Sequence, residues 1–137
     1  MATYSNHELV QLSDTDEVVL DPSVDVRGRK VVDSAGDNLG KVHDLLIDQA
    51  ENKVRALVVT HGHLLERTTS VIPVDAITSI TDEYVRIDTD TQKVAGSPKY
   101  DPALVYDEFY YGDLYEYYGY SPYWYDDYVY PAYPYYV

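Results

Sequence analysis

Apolar residues between positions 24 and 87 fall into short clusters separated by turn signals at intervals of about ten residues, the rhythm of a small antiparallel barrel or sandwich. A first run over 24–33 ends at 34–38, where Gly36 and Asn38 tolerate the positive φ angles of a hairpin. Residues 41–48 mix Val42, Leu45 and Ile47 with polar positions, and 50–52 make the next turn. In 53–60 strand alternation puts Val54, Ala56 and Val58 on one face and Leu57 and Val59 on the other. Both faces are apolar, so this strand is expected at the centre of the sheet. Strands over 70–74 and 84–87 complete the set, and Pro73, which cannot donate to a ladder, marks an edge or a bulge. Residues 75–78 read as one helical turn with an acidic cap. Val42, Leu45, Ile47, Val54, Val58, Ile72 and Ile77 are expected to share one core. Gly36 and Gly40 bracket a hairpin, and Asp33, Asp44 and Asp48 punctuate strand ends in turn and surface roles.

Composition then divides the chain. All 10 Lys and Arg residues precede position 100, whereas the residues after it carry acids only and most of the 17 tyrosines. Three segments follow: an N-terminal apron at 1–23, a barrel domain at 24–98 and an acidic, tyrosine-rich tail at 99–137. The apron offers two readings, a short capped turn at 13–16 and a packing strip at Val18, Val19 and Leu20. With 137 residues, 45% of them hydrophobic, the chain has the length of one domain with one core. No apolar run approaches the roughly 18 residues that span a bilayer, and the first ten residues lack a signal-peptide pattern, so a soluble cytoplasmic protein is expected. The absence of cysteine removes disulfides, thiol nucleophiles and Cys-ligated metal. A formal charge of −14 repels nucleic-acid phosphates and anionic lipid and favours cationic partners.

The order DVRGRKVVDSAGDNLGKVHDLLIDQAENKVRALVV, then SVIPVDAIT, then YVRID resembles the PRC-barrel domain. Its most specific pieces are GDNLGKVHDLLID and VIPVDAI, and the tail segment YYGDLYEYYGYSPYW is similar to that of stand-alone actinobacterial PRC-barrel proteins. The resemblance implies an all-β fold, a small antiparallel PRC-type barrel, closed or nearly so, with short helical turns and an extended tyrosine-rich C-terminal tail. It also implies frequent pairing with another protein and no catalysis.

Few constellations offer chemistry. His61 and His63, with Glu66 three residues on and His43 on a neighbouring strand, have metal-ligand character, but a solvated loop is the expected reading and no metal or cofactor is assigned. No G-x-S-x-G, P-loop or G-x-G-x-x-G motif occurs, and the chain is expected not to be an enzyme. Arg27, Arg29 and Lys30 sit among acids rather than in a stripe, so no nucleic-acid partner is expected.

The tail balances two large terms. About ten rings burying ~200 Å² each gain on the order of 50 kcal/mol at ~25 cal/mol per Å². Ordering the last 37 residues costs roughly 55 kcal/mol at about 1.5 kcal/mol each. Order therefore depends on an available surface, the chain's own barrel or a second subunit. Arg27, Arg29, Arg55 and Arg86 are candidate platforms for the tyrosine rings. Tyr106, Tyr110, Tyr111, Tyr115, Tyr117, Tyr118, Tyr120, Tyr123 and Trp124 form the expected interaction surface, with Pro122, Pro131 and Pro134 favouring extended chain. The expected function is that of a non-enzymatic binding or scaffold protein, a self-associating barrel (a homodimer or larger) that uses this acidic tail as an interaction surface for protein partners. The alternatives are a structural protein assembling into oligomers or filaments, and a stress-linked metal- or small-ligand-binding domain.

Overall fold

The computed structural model describes residues 9–61, 68–100 and 108–131, with the side chains of Glu108 and Phe109 left out. Seven strands form one sheet: β1 (Val10–Gln11), β2 (Lys30–Val32), β3 (Asn38–Asp48), β4 (Lys53–His61), β5 (Thr68–Pro73), β6 (Ile77–Ile80) and β7 (Tyr84–Ile87). Their order is β5-β4-β3-β2-β7-β6, with β1 paired to β3 off this path. The two ends of the path, β5 and β6, follow each other in sequence and are joined by a single 3-10 turn at Val74–Ala76, so the sheet must curl on itself. The result is a curled half-barrel whose edges are bridged by a turn, in keeping with the nearly closed small barrel expected.

Strand boundaries agree with the hydrophobic pattern at 84–87 and nearly so at 38–48 and 53–61. β4 lies between β3 and β5 and is buried from Val54 to Val59, as two apolar faces require. β5 is an edge strand, and its Pro73 pairs with Ala56 at its end. Two expectations need correction. The sheet is mixed rather than antiparallel, because β2 pairs β7 in parallel from Lys30↔Tyr84 to Val32↔Arg86. The turn at 75–78 is the 3-10 turn at Val74–Ala76, after which Ile77 enters β6 and is only partly buried.

The core contains Val42, Leu45, Ile47, Val54, Val58 and Ile72, all buried, with Leu9, Leu12 and Val19 from the N-terminal segment. In that segment Val19 packs while Val18 and Leu20 stay exposed, and the 3-10 turn Leu12–Asp14 is fastened by donation from Ser13 to Asp44. Asp33, Asp44 and Asp48 are buried, which corrects their expected surface role. Their work is to satisfy backbone: Asp33 accepts from the N–H groups of Ala35, Asp37 and Thr91, tying the β2–β3 hairpin to α1 (Thr91–Ala95). Gly40 is needed for closeness as well as φ, since a Cβ there would lie 2.2 Å from the Thr60 carbonyl oxygen.

The largest departure lies in the tail. The expectation of extended chain fails over α2 (Glu108–Tyr118), an α-helix in the middle of the tyrosine-rich segment. Its buried residues, Tyr110, Tyr111, Leu114, Tyr115 and Tyr118, recur at spacings of three and four and so share one face. The helix stops at Gly119 (φ +86°), where the Tyr120 and Gly119 N–H groups bond the Tyr115 and Glu116 carbonyls, a C-terminal cap available to glycine at little cost. Tyr111 and Tyr115 rank among the largest fully buried side chains, so the tail is part of the core of the described structure.

Candidate functional site

The tail meets the barrel at a defect in the sheet. Leu46 pairs with Ala56 and Ile47 with Val54, leaving Arg55 as an extra residue in β4, a β-bulge. A bulge frees backbone groups and re-aims its side chain, and both consequences are used here. The Arg55 carbonyl accepts from the Tyr115 hydroxyl at 3.3 Å and the Val54 carbonyl from the Tyr130 hydroxyl at 2.9 Å. The Arg55 guanidinium turns toward Asp48, 2.9 Å away, and lies 4.4 Å from the ring centre of Tyr123, with Tyr128 and Tyr130 at 5.8 and 5.6 Å.

Burying this charge opposes ionisation, but the hydrogen bonds and charge of Asp48 more than offset it and raise the Arg55 pKa above its ordinary value. Asp48 is itself held by the N–H groups of Ala50 and Glu51 in the turn after β3. Nε and Nη2 of Arg55 donate to one Asp48 oxygen while the backbone donors hold the other, and a buried ion pair is tolerated when such additional hydrogen bonds accompany it.

Further hydroxyl latches extend the contact. Tyr117 donates to the Lys93 carbonyl at 2.6 Å, Tyr120 to Asp88 at 2.6 Å and Tyr128 to Asp75 at 3.2 Å. Burial lifts the Asp75 carboxyl above its usual value, with the Tyr128 hydrogen bond working in the opposite direction. Burial also raises the phenols of Tyr115, Tyr120 and Tyr128. Between the β3–β4 turn and residues 123–125 of the tail opens a cleft of about 430 Å³.

Of the residues expected to form an interaction surface, Tyr110, Tyr111, Tyr115, Tyr118 and Tyr123 are buried in this chain's own core, whereas Tyr117, Tyr120 and Trp124 are partly buried against it. Tyr106 lies outside the described residues. Among the four arginines proposed as platforms, Arg55 takes that role. Arg27 pairs with Asp25 at 2.6 Å, Arg29 donates to the Thr81 and Ser23 carbonyls, and Arg86 donates to the Ser34 carbonyl.

His63 and Glu66 also lie outside the described residues. The His61 ring is within 3.1 Å of the Ser70 and Thr68 hydroxyl oxygens, and its pKa is lowered by burial and by Lys99. His43, the extra residue of a second bulge in β3, lines a groove of about 670 Å³ together with His61 and Gly40. Among the described residues, no group of three or more His, Asp or Glu is placed to hold a metal ion.

A curled, mixed sheet with bridged edges and structural carboxylates at its turns defines a small β-barrel module. The PRC-barrel domain family matches residues 20–94. The chain belongs to that family, and the tail helix α2 lies beyond the matched region. No curated protein shows significant similarity to the chain. Among the described residues, no helix is long and apolar enough to cross a membrane.

Proposed function

We propose that this chain is a non-enzymatic binding and scaffold protein in which a PRC barrel self-associates through its tyrosine-rich tail. The observation that carries this reading is the chemistry of the tail–barrel contact. A buried arginine anchored by a carboxylate, ringed by tyrosines and bordered by hydroxyl hydrogen bonds has the make-up of an interface hot spot rather than of a plain aliphatic core. Such a contact is portable. The barrel surface that receives its own tail presents the same groups to the tail of a second copy, and exchange of an identical element is a low-cost route to a dimer.

The buried carboxylates favour a structural over a catalytic reading. Asp33, Asp44 and Asp48 each accept hydrogen bonds from neighbouring backbone N–H groups. Sedimentation equilibrium of the full-length protein across a wide concentration range tests the proposal. A mass that rises from one to two chains supports tail exchange, and a mass that keeps rising favours the open-ended assembly alternative. A single-chain mass at every concentration contradicts self-association.

A further inference from the structure

We propose that the cleft between the β3–β4 turn and the tail is a binding site for a small organic cation bearing a methylated ammonium group. The proposal is independent of whether copies of the chain associate. One side of the cleft carries Tyr123, Trp124 and Tyr125, and the other carries Asp48, Glu51 and Arg55.

The three rings are set nearly at right angles. Tyr123 and Trp124 lie 4.9 Å apart at 86°, and Trp124 and Tyr125 lie 6.3 Å apart at 78°. A π face attracts a cation within about 6 Å of its centre, the chemistry by which aromatic side chains recognise quaternary ammonium groups. Tyr123 already serves the Arg55 guanidinium in this way, and Trp124 and Tyr125 beside it supply the more accessible aromatic area. The rings are held in advance of binding. The Trp124 Cζ2 atom lies 4.0 Å from where a Cβ on Gly112 of α2 would sit, and turn hydrogen bonds from Tyr125 to Pro122 and from Tyr128 to Tyr125 fix the backbone. Tyr125 nevertheless remains 55% exposed, the most exposed aromatic side chain of the described residues, so it offers area to a ligand.

Charge decides the sign of the ligand. Arg55 places a cation beside the cleft, but Asp48 pairs with it at 2.9 Å and the Tyr123 ring covers it at 4.4 Å. Those two charges cancel, and exposed Glu51 leaves the cleft net negative within a molecule of formal charge −14. An anion would have to compete with Asp48 for Arg55 while facing Glu51. Hard metal cations demand several oxygen ligands, which a largely aromatic wall does not provide. A large, weakly hydrated organic cation loses little on desolvation and gains from the rings. A volume of about 430 Å³ falls within the range of small-molecule sites, roughly 300–1,000 Å³.

The chain contains a single tryptophan, and it stands in the wall of the cleft, so its fluorescence reports on this site. Choline chloride titrated into the full-length protein should give a saturable change in Trp124 emission that neither sodium chloride nor the uncharged isostere 3,3-dimethylbutan-1-ol reproduces. Glu51→Gln and Tyr125→Leu alter exposed or half-exposed side chains and should preserve the circular dichroism spectrum, while each weakens choline binding by about threefold or more. An equal response to the isostere, or wild-type affinity in both variants, would overturn the assignment.

Discussion

Replacing Arg55 by Met tests the junction between barrel and tail at its buried ion pair. The substitution keeps most of the side-chain volume but removes the charge that pairs with Asp48 and sits beneath the Tyr123 ring. Breaking a buried ion pair by deleting one partner costs about 3–5 kcal/mol, most of it from the charge left behind. Asp48 would keep its two backbone donors, Ala50 and Glu51, which moves the cost toward the lower end. Loss of the cation–π contact adds about 1 kcal/mol, offset in part by the apolar contact that Met makes with the same rings. The expected net loss is about 3 kcal/mol, a large share of the roughly 5–15 kcal/mol that holds a domain together. Urea unfolding followed by Trp124 emission measures it, and the midpoint should fall by more than ~1 M at the slopes usual for small domains. Adding Asp48→Asn to Arg55→Met removes the stranded charge and should recover part of the loss, because the two residues form one network. A single variant that loses less than about 1 kcal/mol, with no recovery in the double variant, would refute the view that this pair organises the junction.

Other outcomes follow from the same structure. Leu45→Ala, at a fully buried position of β3, should lose about 2–5 kcal/mol by chemical denaturation through transfer energy and cavity formation. Gly40→Ala should lose more than about 2 kcal/mol, since the new Cβ would press on the Thr60 carbonyl and force β3 from β4; a melting temperature equal to wild type would contradict the close approach. The phenols of Tyr115, Tyr120 and Tyr128 are raised above their ordinary value near 10, so the folded chain holds these protons more tightly than the unfolded one. Their contribution to stability is therefore complete below about pH 10 and is lost as pH climbs from the unfolded toward the folded pKa values. Absorbance at the tyrosinate band should show a late titrating group that coincides with loss of α2 ellipticity. Titration of every tyrosine together near pH 10 would contradict this.

The barrel was legible because its sequence obeys one period at a time. The 53–60 segment is apolar on both faces and is buried on both, and Pro73 marks the edge strand where a missing donor costs nothing. The parallel pairing of β2 with β7 was not legible, since β2 has three residues and nothing local distinguishes a parallel from an antiparallel neighbour. In the tail, the wealth of tyrosine together with Pro122, Pro131 and Pro134 pointed away from helix. Yet all three prolines lie beyond Tyr118, and the spacing of Tyr111, Tyr115 and Tyr118 carries the helical period in full view. Low propensity yielded to the packing of one face. The Arg55 site was half legible. Arg55 was one of four arginines expected to stack on tyrosine rings, but its pairing with Asp48 depends on a bulge, which a one-residue excess in one strand creates only once its partner strand is known.

The central claim is that the tail is a built-in part of the barrel, and amide hydrogen exchange by mass spectrometry tests it most directly. Peptides covering 110–118 should exchange as slowly as those of β7, because α2 buries Tyr111, Leu114 and Tyr115 against the sheet, and the protection should persist when the protein is diluted. Protection that fades on dilution would place the docking surface on a second chain. Random-coil exchange throughout 110–130 at high concentration would contradict the account.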